Sequence, residues 1–241
     1  MKARWLALGV LLVLASSAHA QAPRLGAPCS PLAVGYLLPN NPDGKAIRYE
    51  PQPGDIVLYD DFNRFYHVIF KLANSGAPTH VAMVVTRPDG TQALLELTGP
   101  TMVFAKVTIV DVEPRFKSYP GIIMVRRVRT PLTPEQCHEL TDFAKSQSGK
   151  SFAIGRVILQ ATPFCPRSGL RRELFGKTYP TRNRWFCSEM VVAGCASAHV
   201  LDAKAHVANA TYPRDLAFDE TIDLSAAYHP PLLWNAAATT K

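Results

Sequence analysis

The chain has 241 residues, of which 47% are hydrophobic and 19% charged, so it can bury one sizeable core and lacks the composition of a disordered protein. Its formal net charge of +7 favours anionic partners, but the basic residues are not interleaved with aromatics as in proteins that stack nucleic-acid bases. No nucleic-acid partner is therefore predicted. The sequence contains neither a Cys-x-x-Cys pair nor a His-x3-His spacing, so no metal or other cofactor is predicted either.

Residues 1–20 have the pattern of a secretory signal peptide. A basic start with Lys2 and Arg4 precedes a short apolar run and an Ala-x-Ala cleavage signature. The apolar run is too short to span a bilayer. Cleavage after Ala20 removes two positive charges, lowers the net charge from +7 to +5, and predicts a secreted or periplasmic protein that begins at Gln21.

The next segments lead into a folded domain, which is predicted over residues 51–225. Residues 21–50 contain five prolines and no sustained periodicity, and we interpret them as a lead-in segment that wraps the domain. The turn at Pro53-Gly54-Asp55 introduces an apolar strand over residues 56–59. Asp60 and Asp61 could cap a helix over residues 62–72, because its apolar positions recur every three or four residues.

An antiparallel hairpin follows. Residues 79–86 and 91–98 have the composition of strands, and Pro88-Asp89-Gly90 lies in the turn between them. With the turn centred on Asp89-Gly90, Thr86 lies near Ala93. This register places His80 and Glu96 toward the open end of the hairpin.

The second half of the domain alternates strands and helices. Residues 104–112 and 121–128 are predicted strands, and Arg126, Arg127 and Arg129 are expected at or near a sheet edge, facing an anionic envelope surface or only solvent. Thr133, Pro134 and Gln136 form a capping-box pattern for a helix that runs to about residue 148. Three further expectations are a helix over residues 152–159, a basic surface insertion over 163–184 and a weak C-terminal tail over 226–241.

Cys187 is the candidate nucleophile. It begins an apolar, small-residue run typical of a buried helix, and the amides and dipole at a helix N-terminus favour a thiolate. The alternative is a small core residue. An odd count of five cysteines leaves at least one thiol unpaired in an oxidising compartment, and Cys187 is our choice for it.

His80 and Glu96 are the candidate partners of this thiol. Of the seven histidines, His80 lies at the start of an apolar strand, where the backbone holds the direction of the ring. Glu96 interrupts an otherwise apolar strand, and a buried carboxylate needs a partner such as an imidazole. A structural histidine and a glutamate that faces water from an edge strand are the alternatives.

Four segments, taken in order, resemble a known family. They are Pro53-Gly54-Asp55-Ile56-Val57, Thr79-His80-Val81-Ala82-Met83-Val84, Leu95-Glu96 and Phe186-Cys187-Ser188-Glu189-Met190-Val191. They are similar to the circularly permuted papain-like amidases of the YiiX and YaeF type, in the NlpC-like superfamily, which also contains lecithin retinol acyltransferase-like proteins. The histidine strand precedes the cysteine helix, as in the permuted group. The resemblance implies an α+β, permuted papain-like fold with an antiparallel sheet packed against the helix that carries the cysteine.

The resemblance also implies roles for single residues. Cys187 would be the nucleophile, His80 the general base and Glu96 the residue that orients it. Tyr212, in Thr-Tyr-Pro, matches a tyrosine near the site in such proteins, although a Tyr-Pro turn could equally serve packing. Helix geometry suggests that the backbone amide of Cys187 meets the oxyanion.

The expected function is that of a cysteine peptidase or amidase-like hydrolase, which cleaves an amide or an ester through a thioester. Its substrate would be a peptide-like or acyl-lipid component of the cell envelope. The alternatives are a lipid acyltransferase or esterase of the same fold, and an inactive ligand-binding module in which Cys187 forms a disulfide with Cys195 or Cys165. Residues eight apart on one helix are about 12 Å apart along it, which disfavours the Cys195 bond. The pairing among Cys29, Cys137, Cys165 and Cys195 and the oligomeric state stay open.

Overall fold

The structure, a computed structural model, describes residues 33–40, 44–156, 182–206 and 208–237. The predicted signal peptide, Cys29, Cys165 and most of the basic insertion lie outside the described residues.

One mixed sheet organises the described chain. Its ten strands are β1 Tyr36–Leu38, β2 Ile47–Arg48, β3 Ile56–Asp60, β4 His80–Thr86, β5 Gln92–Thr98, β6 Lys106–Asp111, β7 Ile122–Arg126, β8 Ser151–Phe152, β9 Arg184–Trp185 and β10 Leu232–Asn235. They are ordered β2-β1-β10-β7-β3-β4-β5-β6-β8-β9. Neighbouring strands are antiparallel except for β8 and β9, which are parallel.

Helices cover the sheet. They are α1 Arg64–Leu72, α2 Val112–Ser118, α3 Pro134–Gln147, α4 Cys187–Ser197 and α5 Pro213–Phe218, with 3₁₀ turns at Met102–Phe104 and Ala208–Ala210. The capping box predicted at Thr133 is present at the start of α3. α3 and α4 pack on β4 and on each other. The predicted α+β class, with a largely antiparallel sheet packed against the cysteine-bearing helix, is thus what the chain adopts.

The core has two parts, one on each face of the sheet. Alternation along β4 sends Val81, Met83 and Val85 into the cluster that contains α3 and α4, and sends Ala82 and Val84 into a second cluster with α2. Burial on both faces explains why the strand is an unbroken apolar run rather than an alternating one.

The β4–β5 hairpin differs from the predicted register by one residue. Val85 pairs with Ala93, and Thr86 pairs with Gln92. Continued to the open end, this register places His80 and Glu96 on the same face of the sheet, as diagonal neighbours. A one-residue slip would have sent them to opposite faces.

Strands also form in the predicted lead-in and tail. β10 lies between β1 and β7, so the sheet includes residues on both sides of the predicted 51–225 domain. β1 and β10 are three and four residues long, which is too short for a period-two pattern to stand out in the sequence.

The strand β10 also explains why the expectation for Arg126 was wrong. With β10 paired to β7, this side chain is 1% exposed rather than at a sheet edge. Its guanidinium donates to both carboxylate oxygens of Asp219, at 2.8 Å each, and to the carbonyl of Leu216 at 3.0 Å.

Two local predictions were wrong at the start of the helix. The first helix begins at Arg64 and is capped by the side chain of Asn63, whereas Asp60 ends β3. In the predicted 152–159 helix, residues 154–156 are helical and 157–159 lie outside the described residues. Its first residue instead belongs to strand β8, because Phe152 hydrogen-bonds to the carbonyl of Ala105 beside β6.

Candidate active site

Cys187 occupies the first position of α4. Phe186, in extended conformation, precedes it as the N-cap residue, and the thiol-bearing residue is 7% exposed. Strand β9, which leads into α4, is held in place because the indole of the fully buried Trp185 donates to the side-chain oxygen of Gln147 on α3, at 3.1 Å. The backbone amide of Cys187 has no carbonyl four residues earlier within the helix, so it points outward from the N-terminus.

The ring of His80 lies between Cys187 and Glu96. Nε2 lies 3.0 Å from Oε1 of Glu96, and Cys187 is close enough to the ring to raise the pKa of the imidazole. Because Nε2 faces the carboxylate, Nδ1 is the nitrogen left to exchange a proton with the thiol. The ring is 26% exposed and stacks on Tyr59, with centroids 5.7 Å apart. The predicted pairing of His80 with Glu96 is present in this geometry.

Glu96 is completely buried and is bound by a residue that the sequence did not suggest, Arg115 of α2. Nε of Arg115 lies 3.1 and 3.0 Å from the two carboxylate oxygens, and Nη2 lies 2.6 Å from Oε1. The guanidinium is also within 5.2 Å of the Tyr59 ring centre and 5.1 Å of the Tyr119 ring centre. The alternative of a glutamate that faces water does not occur.

The negative charge of Glu96 and the positive charges of His80 and Arg115 stabilise one another. Burial opposes ionisation of His80, but its hydrogen bonds to Cys187 and Glu96 and their charges outweigh burial and raise the pKa of the imidazole to about 10. Burial likewise opposes ionisation of Glu96, but His80 and Arg115 outweigh it and lower the pKa of the carboxyl. An imidazolium between a carboxylate and a thiol is therefore favoured at neutral pH.

A cavity of about 460 Å³ opens beside the thiol. Cys187, His80 and Arg115 contribute to its wall, as does Tyr212. Much of the remaining wall is apolar or aromatic, and includes Ile69, Phe70, Leu97, Ala105, Phe152 and Phe186.

Tyr212 reaches this wall because its segment is tied to α4. The hydroxyl of Ser188, next to the thiol, donates to the carbonyl of Thr211 at 2.6 Å. The amide of Tyr212 in turn donates to Asp215 at 2.7 Å, in the capping box of α5. Tyr212 is buried and also contacts the ring of Phe70. The structure therefore brings all four predicted site residues to one place.

Glu189, in the first turn of α4, stabilises the start of the helix that carries Cys187. It is buried and accepts from the amide of Phe186, at 3.4 Å. Its carboxylate is also paired with Arg156 at 2.8 Å and Arg182 at 2.6 Å. The two guanidinium groups offset a buried negative charge that would otherwise lie close to the thiol.

The described cysteines carry free thiols. They are Cys137, Cys187 and Cys195. Cys195 lies 3.2 Å from the hydroxyl of Tyr228 instead of bonding to Cys187. Cys187 is thus available for chemistry in this structure.

The described residues contain neither a candidate metal site nor a membrane-spanning helix. Within them, no group of three or more His, Cys, Asp or Glu side chains is placed to hold a metal ion. No helix in the same ranges is both long and apolar enough to cross a bilayer.

The chain is distantly similar to solved structures. No protein-family model and no curated protein sequence matches the chain. Among solved structures, the chain is similar to the crystal structure of the metalloprotein YiiX from Escherichia coli O157:H7. The sequence identity is 22% and the TM-score 0.43, and the match covers 64% of this chain and 69% of that one. Membership of a YiiX-type family stays a prediction from the sequence motifs.

Proposed function

We propose that this protein is a cysteine hydrolase with a permuted papain-like fold, in which Cys187, His80 and Glu96 cleave an amide or an ester. One observation carries the proposal. A free thiol at a helix N-terminus and an imidazole line the same cavity, and Nε2 of that imidazole faces a buried carboxylate. This is the arrangement that thiol nucleophiles need, namely an adjacent base and a third group that orients the base.

Each group then has a defined task. The Cys187 thiolate attacks the acyl carbon, and the backbone amide at the start of α4 donates to the oxyanion that forms. His80, protonated at Nδ1, gives that proton to the leaving amine or alcohol, and a thioester remains on Sγ. Water then loses a proton to His80 and attacks the thioester, which releases the carboxylic acid and restores the thiolate–imidazolium pair.

The substrate is proposed to be a component of the cell envelope. The signal-peptide pattern supports export, and amide bonds of envelope peptides are the first candidate. The largely apolar wall of the cavity favours a hydrophobic acyl group, so ester-linked acyl lipids are the second candidate.

Cys187→Ala is the direct test, on a panel of envelope peptides and acyl esters with release of amine, alcohol or acid measured by mass spectrometry. We expect the rate with any accepted substrate to fall by at least about a thousandfold, because no other group forms the thioester. Cys137→Ala, a half-buried thiol on α3 outside the cavity, is the matched control and should retain wild-type activity.

The rival function is an inactive module that binds an envelope ligand. Iodoacetamide labelling of the unreduced protein distinguishes the two. Faster labelling of Cys187 than of an ordinary thiol supports the hydrolase, whereas an unreactive Cys187, or full hydrolysis by Cys187→Ala, rejects it.

A further inference from the structure

The helix α1 lies on the outside of the molecule and is unusually apolar for that position. None of its nine residues is buried. Three apolar side chains on it are more than half exposed, namely Phe65 at 66%, Val68 at 57% and Leu72 at 64%. They follow one another at intervals of three and four residues and so lie on one face of the helix.

The rest of α1 has two further faces. At about 100° per residue, the side chains of Tyr66, Ile69 and Phe70 project on one side of the exposed apolar face, and these three line the active-site cavity. On the other side of that face project the polar residues Arg64, His67 and Lys71. The apolar surface therefore continues from the cavity over the outside of the helix and stops at a basic edge.

A second exposed apolar segment lies on another part of the cavity rim. Val103 and Phe104, in the 3₁₀ turn after β5, are 61% and 68% exposed. Their neighbours Thr101 and Ala105 line the cavity, and the exposed Lys106 follows. This rim carries the same combination of apolar side chains and a positive charge as α1.

Phe62, just before α1, adds a sixth apolar side chain. It is 56% exposed, and its backbone has a positive φ of 57°, which is costly for a bulky residue. We name Phe62, Phe65, Val68, Leu72, Val103 and Phe104 the apolar rim.

We propose that the apolar rim docks onto an anionic phospholipid bilayer, with the mouth of the cavity toward the lipid. Single exposed apolar residues are common, but a cluster of six around one opening marks an interaction site. An apolar helix face bordered by basic residues is the pattern of helices that lie in the interface of a bilayer. Arg64, Lys71 and Lys106 then reach the phosphate groups while the rim enters the acyl region.

The shape and charge of the rim favour a bilayer over a protein partner. Its six side chains are more than half exposed and none of them lines the cavity, and a fluid bilayer accommodates exposed apolar side chains without a matching pocket. Asp61 is an opposing charge at the same opening, yet three cations flank the rim and the net charge of +7 falls only to +5 when Lys2 and Arg4 leave with the predicted signal peptide. The proposal does not depend on the hydrolase activity.

Co-sedimentation of purified residues 21–241, without the predicted signal peptide, with phosphatidylcholine vesicles, with and without phosphatidylglycerol, tests the proposal. We expect binding that requires phosphatidylglycerol and weakens with added salt. The double substitution Phe65→Ser with Leu72→Ser should lower the bound fraction by about tenfold, because two of the inserted side chains are lost. Arg64→Glu with Lys71→Glu should abolish the preference for the anionic lipid.

The control pair Ile47→Ser with Leu233→Ser removes exposed apolar residues from β2 and β10, outside the rim, and should bind like wild type. Unchanged thermal unfolding shows that the rim variants fold. The proposal is overturned if the wild-type chain ignores both vesicle types or if the rim variant binds normally. It is also overturned if light scattering shows a dimer that the rim substitutions dissociate, because the rim would then cover a second copy.

Discussion

Arg115 is the clearest test of how the candidate site is held together. Arg115→Met removes three short contacts to the fully buried carboxylate of Glu96 and leaves it with His80. Removing one partner of a buried ion pair costs about 3–5 kcal/mol, but Arg115 is 27% exposed, so about 2 kcal/mol is the reasonable expectation. Arg115 helps to lower the pKa of Glu96, so its loss raises that pKa.

The rate of Cys187 alkylation by iodoacetamide as a function of pH measures this effect without a substrate. In the variant, Glu96 takes up a proton at a higher pH than in wild type. As the pH falls, the negative charge that stabilises the His80 imidazolium is therefore neutralised at a higher pH. We therefore expect the acid limb of the profile to move to higher pH by about one unit or more. Lys117→Met, an exposed cation on the same helix, should leave the profile unchanged.

A double-mutant cycle with Glu96→Gln shows whether Arg115 acts through Glu96. In the background of the Glu96→Gln variant, Arg115→Met should have little further effect, because the charge that Arg115 holds is already gone. An equal shift in both backgrounds, or no shift in either, would refute the reasoning. A rise in KM with unchanged kcat, once a substrate is known, would instead make Arg115 a substrate-binding residue.

Three further predictions concern other buried charges. The pKa of His80 lies near 10, so His80 is a proton donor below that value, and hydrolysis of an accepted amide should persist at pH 9 and decline as the pH rises through about 10. Asp55 is buried beside Tyr49, and burial raises the pKa of its carboxyl to about 6. Because this pKa lies above the ordinary value of 3.8, the free energy of unfolding should fall by about 3 kcal/mol as the pH rises from 3.8 to 6. Urea unfolding of the Asp55→Asn variant should not show this pH-dependent fall in stability. A fall as large as in wild type would rule out Asp55 as its source. Arg126→Met leaves Asp219 without its bidentate partner and should destabilise the fold by about 3 kcal/mol. Urea unfolding measures this change, and an unchanged midpoint would contradict the structural role assigned to this arginine.

Local patterns in the sequence were sufficient to predict the two strands of the β4–β5 hairpin and the helix that carries Cys187. The apolar run of β4, the turn at Asp89-Gly90 and the isolated charge of Glu96 are all readable over a few residues. They predicted that His80 and Glu96 lie at the same end of one hairpin, which the register of β4 and β5 produces. The helix that begins at Cys187 and the capping box at Thr133 are equally local. The catalytic roles of these residues stay predictions.

Contacts between segments far apart in the chain were decided only by the tertiary structure. Arg115 is 19 residues from Glu96 on a short helix, and nothing in its neighbours distinguishes it from a solvated arginine. Arg126 became a buried residue because β10, more than a hundred residues later, pairs with β7. Tyr212 reached the cavity through the bond from Ser188 to Thr211. The sequence by itself determined which residues are apolar, which can titrate and how the strongly patterned segments fold, whereas the short strands β1 and β10 and the partners of the buried charges depended on how the sheet was assembled.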